Sequence, residues 1–174
     1  ARFTWLQGHA ALQKAFMLAN TSGAHDFEQM GPNTTDRGTG RLDFYNALYN
    51  GTTTWWHGNK SSFQGVASND SNPTNGQIDR TVTLNASYTE VRVAFSWLNN
   101  GDYTLNHKSF SHDLAQDFDI TVTDPQGNIV GTSASRKNSF EYVVFDPIVS
   151  GTYNIRISRS SMSDTNAEFK AGLS

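Results

Sequence analysis

The second two thirds of the chain alternates between apolar and polar positions. Val91, Val93, Phe95 and Trp97 are separated by Arg92, Ala94 and Ser96, and Phe118, Ile120 and Val122 by Asp119 and Thr121. Tyr153, Ile155 and Ile157 enclose Asn154 and Arg156. Ile78, Val82 and Leu84 keep a similar parity, and Phe169, Ala171 and Leu173 repeat it at the end. Successive side chains of a strand leave on opposite faces, so each run predicts a strand with one apolar side. Between the runs lie Asn99-Asn100-Gly101-Asp102, Asp124-Pro125-Gln126-Gly127-Asn128 and Ser150-Gly151. These residue types tolerate left-handed backbone or bond their own chain, as turns require. About eight strands without intervening helices predict a mainly β fold, an antiparallel β-sandwich or jelly roll.

The front of the chain has a different period. Trp5, His9, Leu12, Phe16 and Ala19 recur at three- and four-residue spacing, which predicts a helix from Trp5 to about Ala19, with Gly8 a weak spot near its start. Ala10, Ala11, Ala15, Met17 and Leu18 widen the apolar surface almost all round, and Lys14 is the helix's only full charge. Such a helix is expected inside something larger. A second, shorter helical stretch is predicted around Leu42 to Leu48. The change of period sets a boundary near Gly51, with a helical segment over 1–50 and the sandwich over 51–174.

Composition agrees with a folded, turn-rich chain: 36% hydrophobic, 17% charged and 14 glycines in 174 residues. A net charge of −3 gives no electrostatic attraction to nucleic acid or anionic membranes, and no apolar run approaches the roughly 20 residues that span a bilayer. No stretch has the form of a signal peptide, so the chain is expected to be a mature product or a fragment. The absence of cysteine excludes disulfides and thiolate chemistry. Asn-x-Ser/Thr sequons begin at Asn20, Asn33, Asn50, Asn59, Asn69 and Asn85. They would accept glycans in a eukaryotic secreted protein, and they also arise by chance in a chain this rich in Asn, Ser and Thr.

Both parts of the chain carry a family resemblance. "GTGRLDFYNAL" resembles the closing segment of a subtilisin-like serine peptidase domain, with Gly38, Gly40, Leu42, Asp43, Ala47 and Leu48 at the matching positions. "GHAALQKAFMLANTS" is similar to that family's helix following the one with the nucleophile. "VRVAFSWLN", "DFDITVTDPQGNIVG", "NSFEYVVF" and "SGTYNIRIS" then resemble, in order, the β-sandwich behind the catalytic domain of some alkaline subtilases. That module is related to the P-domain and pre-peptidase C-terminal families. "WWHGNKSSF" and "IDRTVTLN" occupy its first two strands. The resemblance implies a non-catalytic C-terminal portion of a secreted subtilase, whose sandwich docks on the catalytic domain and supports its folding, stability or substrate access. It also implies that the catalytic domain, in cis or as a cleaved fragment, is the partner. Self-association through the apolar front helix is the other expected contact. A reading from a different class is a free-standing glycan- or protein-binding module using Trp55, Trp56 and surface tyrosines.

Catalytic chemistry finds little support. Gly131-Thr132-Ser133-Ala134 mimics a subtilase nucleophile motif but lacks its Pro and opens no apolar-periodic helix. Ser109, His112 and Asp113, with His107 and Lys108, are adjacent in sequence, which is not triad geometry. His9 is expected to pack on the helix and His25 to sit in a loop. The candidate metal ligands are Asp117 and Asp119, two apart on one strand and so on one face, opposite Phe118 and Ile120. Paired carboxylates repel, and a hard cation such as Ca²⁺ relieves that. Asn138 and Glu141 at the start of the next strand, and Asn100 and Asp102 in the turn after Trp97, could add oxygens. The family resemblance implies calcium near such positions; Asp residues that cap turns and face solvent are the alternative.

Overall fold

A computed structural model of the protein describes residues 4–22, 41–43, 45, 47, 54–63, 76–99, 116–135, 138–162 and 169–174. The alternating runs become strands β3 (Trp56–Asn59), β4 (Gln77–Leu84), β5 (Val91–Asn99), β6 (Gln116–Thr123), β7 (Ile129–Ser133), β8 (Phe140–Phe145), β9 (Gly151–Met162) and β10 (Phe169–Leu173). They form two four-stranded antiparallel sheets, ordered β3-β10-β5-β8 and β4-β9-β6-β7, packed as a sandwich. Phe95, Trp97, Phe118, Val122, Tyr153 and Ile157 are fully buried between them. Burial of such side chains contributes roughly 1.5–3 kcal/mol each. Two aromatic side chains inside find backbone partners: Trp97 Nε1 donates to the Gln116 carbonyl at 3.0 Å. Tyr153 Oη donates to the Val149 carbonyl, four residues upstream, at 2.8 Å. In the β6–β7 turn, Asp124 Oδ1 accepts from the Gln126 and Asn128 amides, and Gly127 takes φ +90°.

The front helix is shorter than its periodicity predicts. Thr4–Leu6 is a 3₁₀ turn, Gly8 sits at φ +80°, and helix α1 runs only from Ala10 to Ala19. A left-handed Gly8 is what stops the helix from extending back to Trp5. The apolar surface is also divided: Ala11, Leu12, Ala15 and Phe16 are buried, whereas Met17 is 52% exposed. The stretch predicted as a helix from Leu42 begins as strand, because β2 (Arg41–Leu42) pairs with β1 (Thr21–Ser22). A helical turn follows, with the Ala47 amide donating to the Asp43 carbonyl at 3.1 Å. No helix among the described residues is long and apolar enough to cross a membrane.

Helix α1 lies across the outer face of the β3-β10-β5-β8 sheet. That is why Ala94 and Ser96, on the polar parity of β5, are completely buried. Ser96 Oγ donates to the Ala11 carbonyl at 2.6 Å, and Ala15 packs with Ala94 and Tyr142. Lys14 Nζ donates to Ser139 Oγ at 2.7 Å and stands 5.1 Å above the Phe140 ring; its burial lowers its pKa. The closest approach is at Gly172 of β10, where a Cβ would overlap the backbone of Leu12. Because backbone rather than a flexible side chain blocks that space, the helix itself must move. Gly172→Ala is therefore expected to cost about 1–3 kcal/mol, lowering the melting temperature by about 2–4 °C per kcal/mol in a chain of this size. An unchanged melting curve would show that the helix does not sit this close in solution.

Candidate functional site

The acidic residues singled out in the sequence gather where β6, β7 and β8 meet, and the fold handles them unequally. Strand β6 pairs with β9, and the register shifts between Asp117 and Phe118: Asp117 lies opposite Ser161, Phe118 opposite Arg159. The residue left over, Ser160, donates its hydroxyl to Asp117 Oδ2 at 2.9 Å. The two carboxylates of the pair are thus enclosed to different degrees. Asp117 is only 5% exposed, while Asp119 is half-buried. The extra residue belongs to β9, so the bend falls on that strand and brings Ser160 to Asp117. Gln116 and Arg159 are buried at the same end.

Glu141 shares the inward parity of Val143 and Phe145 and pairs with Phe95 across the ladder. It is completely buried. Strand β8 is an edge of one sheet and β7 an edge of the other, and Glu141 joins them. Its carboxyl accepts the Ser133 hydroxyl and, at 2.9 Å, the Ser135 amide. The Tyr142 amide in turn donates to Ser133 Oγ at 3.3 Å. Burial is the largest cause pushing the Glu141 pKa up to about 8; the nearby charges of Asp119 and Asp117 add to it. Sequence reasoning named Glu141 as a possible ligand but missed this bridging role. Its shared parity with Val143 and Phe145 was the available signal.

Of the remaining candidate ligands, Asn138 is half-buried just before β8. Asn100 and Asp102 lie outside the described residues. Among the described residues, no group of three or more His, Asp or Glu side chains is placed to hold a metal ion. Asp117, Asp119 and Glu141 thus share an electrostatic neighbourhood without forming a closed ligand set.

Ser133 bonds to a carboxyl and a backbone amide, neither of which is an imidazole. His25, His107, Lys108, Ser109, His112 and Asp113 lie outside the described residues, as do the sequons at Asn33, Asn50 and Asn69. Asn20 ends α1, its side chain donating to the Phe16 carbonyl at 2.8 Å; Asn59 and Asn85 are exposed. Trp56 is half-buried, edge-on to Phe63 with Arg80 over its other ring contact at 5.1 Å. Trp55 is 40% exposed. It stacks parallel to His57, which sequence reasoning did not single out. No protein-family model and no curated protein matches the chain.

Glu141 makes stability depend on pH in a defined direction. Folded, the carboxyl keeps its proton up to about pH 8, while its ordinary value is 4.5. Between these limits the folded chain binds the extra proton, so stability falls as pH rises from about 4.5 to about 8. Glu141→Gln retains a neutral hydrogen-bonding group and is expected to flatten that fall. Urea midpoints measured from pH 5 to 9 for both proteins test it. Parallel profiles would remove Glu141 as the source of the slope.

Proposed function

We propose that the chain is a non-catalytic C-terminal portion of a secreted subtilisin-like serine peptidase, its sandwich supporting the folding, stability or substrate access of the catalytic domain. The observation that carries this reading is the two-sided environment of α1. One face is docked on the sandwich. The other borders a groove of about 410 Å³, with Ala10, Met17, Leu18 and Leu42 among its lining. Both walls of the groove come from the segments that resemble the end of a catalytic domain, so the rest of such a domain is the natural cover for it. Exposed apolar surface of this kind marks contact sites.

The hydrolytic reaction belongs to the parent enzyme, in which an activated serine attacks a peptide carbonyl. The residues encoded immediately upstream of Ala1 test the parentage. The reading requires Gly-Thr-Ser-x-Ala-x-Pro there, and an unrelated upstream sequence would remove it. This chain by itself is expected to show no casein turnover sensitive to a serine-directed phosphonate. Inhibitor-sensitive hydrolysis that Ser133→Ala abolishes would be the contrary result.

Calcium enters the same proposal as an added ligand of the Asp117 and Asp119 end. Asn100, Asp102, Asn138 and Glu141 are the candidates to complete its oxygen set. Only the folded chain assembles such ligands, so Ca²⁺ at 100 times its Kd is expected to stabilise by about 2.7 kcal/mol. Melting in millimolar Ca²⁺ and in EGTA, for this chain and for Asp117→Asn/Asp119→Asn, reads the effect. Equal melting temperatures in the two buffers would leave these carboxylates a structural role.

A further inference from the structure

His9 stands at the N-terminal boundary of α1 but makes no side-chain capping bond. Its ring lies instead on the ring of His57 in β3, with centroids 3.7 Å apart and planes inclined by 21°. Trp55 is parallel to His57, with centroids 5.9 Å apart. In the β3–β10 ladder His57 is opposite Gly172, the residue against which the Leu12 backbone rests. The stacked imidazoles therefore sit one helical turn from the tightest helix–sheet contact. They join the start of α1 to an edge strand.

Among the described residues, the elements around the stack supply no carboxylate side chain to compensate a proton. Thr4–Leu6, α1, β3, Lys60–Ser62 and β10 contain no Asp or Glu; their charged residues are Lys14, Lys60 and Lys170. Lys14 is turned toward Ser139 and Phe140, Lys60 is buried, and Lys170 is exposed opposite Asn59. The Ser174 oxygen accepts the Ala94 amide, on the β5 side of β10 and away from β3. A helix N-terminus carries the positive end of the backbone dipole, and α1 has no acidic residue in its first turn to offset it. A proton on His57 thus meets a second imidazole at the positive end of the helix. The His57 pKa is lowered accordingly, by burial first and by His9 second.

We propose that the His9–His57 stack is an acid-opened latch that holds the start of α1 on the edge of the sandwich. Neutral rings stack; protonated rings at this separation repel. With its folded pKa below the ordinary 6.5, His57 favours the closed state when neutral, and opening takes up protons as pH falls. The opening equilibrium therefore rises by up to about tenfold per pH unit for each proton taken up. The front segment loosens in mildly acidic surroundings while the core between the sheets remains packed.

Amide exchange on the full chain tests this, corrected for the intrinsic pH dependence of exchange. The reporters are Gln13, whose amide donates to the His9 carbonyl at 2.9 Å, and Lys14. Between pH 7.5 and 5.0 their protection is expected to fall, by at most about tenfold per pH unit, relative to β5 and β9. His57→Phe keeps a flat ring without a titrating nitrogen and is expected to hold protection constant. His57→Gln serves the same purpose if the larger ring disturbs folding. Glu141 cannot mimic the effect, since through it acid stabilises, and His25, His107 and His112 are retained in both variants. Constant protection in the parent chain, or an equal fall in the variants, would overturn the latch.

Discussion

The middle of strand β5, from Val93 to Trp97, has no solvent face. Val93, Phe95 and Trp97 press against the opposite sheet, and Ala94 and Ser96 lie under α1. Everything else is arranged around the need to cover both sides of this strand. The inner side takes large side chains because two sheets pack about 10 Å apart. The outer side takes small ones because a helix backbone comes close, and Gly172 on the neighbouring strand continues that flat path. The Ser96 hydroxyl, stranded in this layer, must find a partner, since an unpaired buried hydroxyl costs about 1–3 kcal/mol. It finds one in the Ala11 carbonyl, which also fixes where the helix sits along the strand.

The two sheets are joined at both sides as well as through the core. Along one side Ser133 and Ser135 of the β7 end meet Glu141 of β8. Along the other, Arg80 of β4 lies over Trp56 of β3. The joints differ in character. The first is enclosed and built from hydrogen bonds to a protonated carboxyl, so it responds to pH. The second is a cation over an exposed-side aromatic face, worth roughly 0.5–1 kcal/mol and insensitive to neutral pH.

The sheet architecture was legible because Val93-Phe95-Trp97, Phe118-Ile120-Val122 and Tyr153-Ile155-Ile157 state one face each without ambiguity. Less legible was the second buried face of β5. Ala94 and Ser96 are small enough to suit either solvent or a helix backbone, and only the third layer decides. The enclosure of Asp117 was not legible, because it depends on a bulge in β9 that brings up Ser160 and leaves no trace in the β6 sequence. The helix start was marked by Gly8, but its positive φ is a property of the fold. His57 needed His9, which is remote in sequence, before its surroundings had meaning. Glu141 shows the opposite case: its parity pointed inward, and its charge drew attention outward.

A sandwich of two open sheets has four outer strands, each with unpaired backbone groups able to accept a strand from another molecule. Here β3 is four residues long, too short to template much pairing. Strand β4 carries Asp79, held by Arg156 at 2.8 Å, and Arg80 on its exposed stretch. A second chain aligning there would have to bury charge. The β7 and β8 edges converge through Glu141, so an incoming strand would first have to part them. The same residues that close the molecule's sides thus oppose fibre-like growth from them, and replacing Arg80 or Asp79 with apolar residues would remove that resistance before it removed the fold.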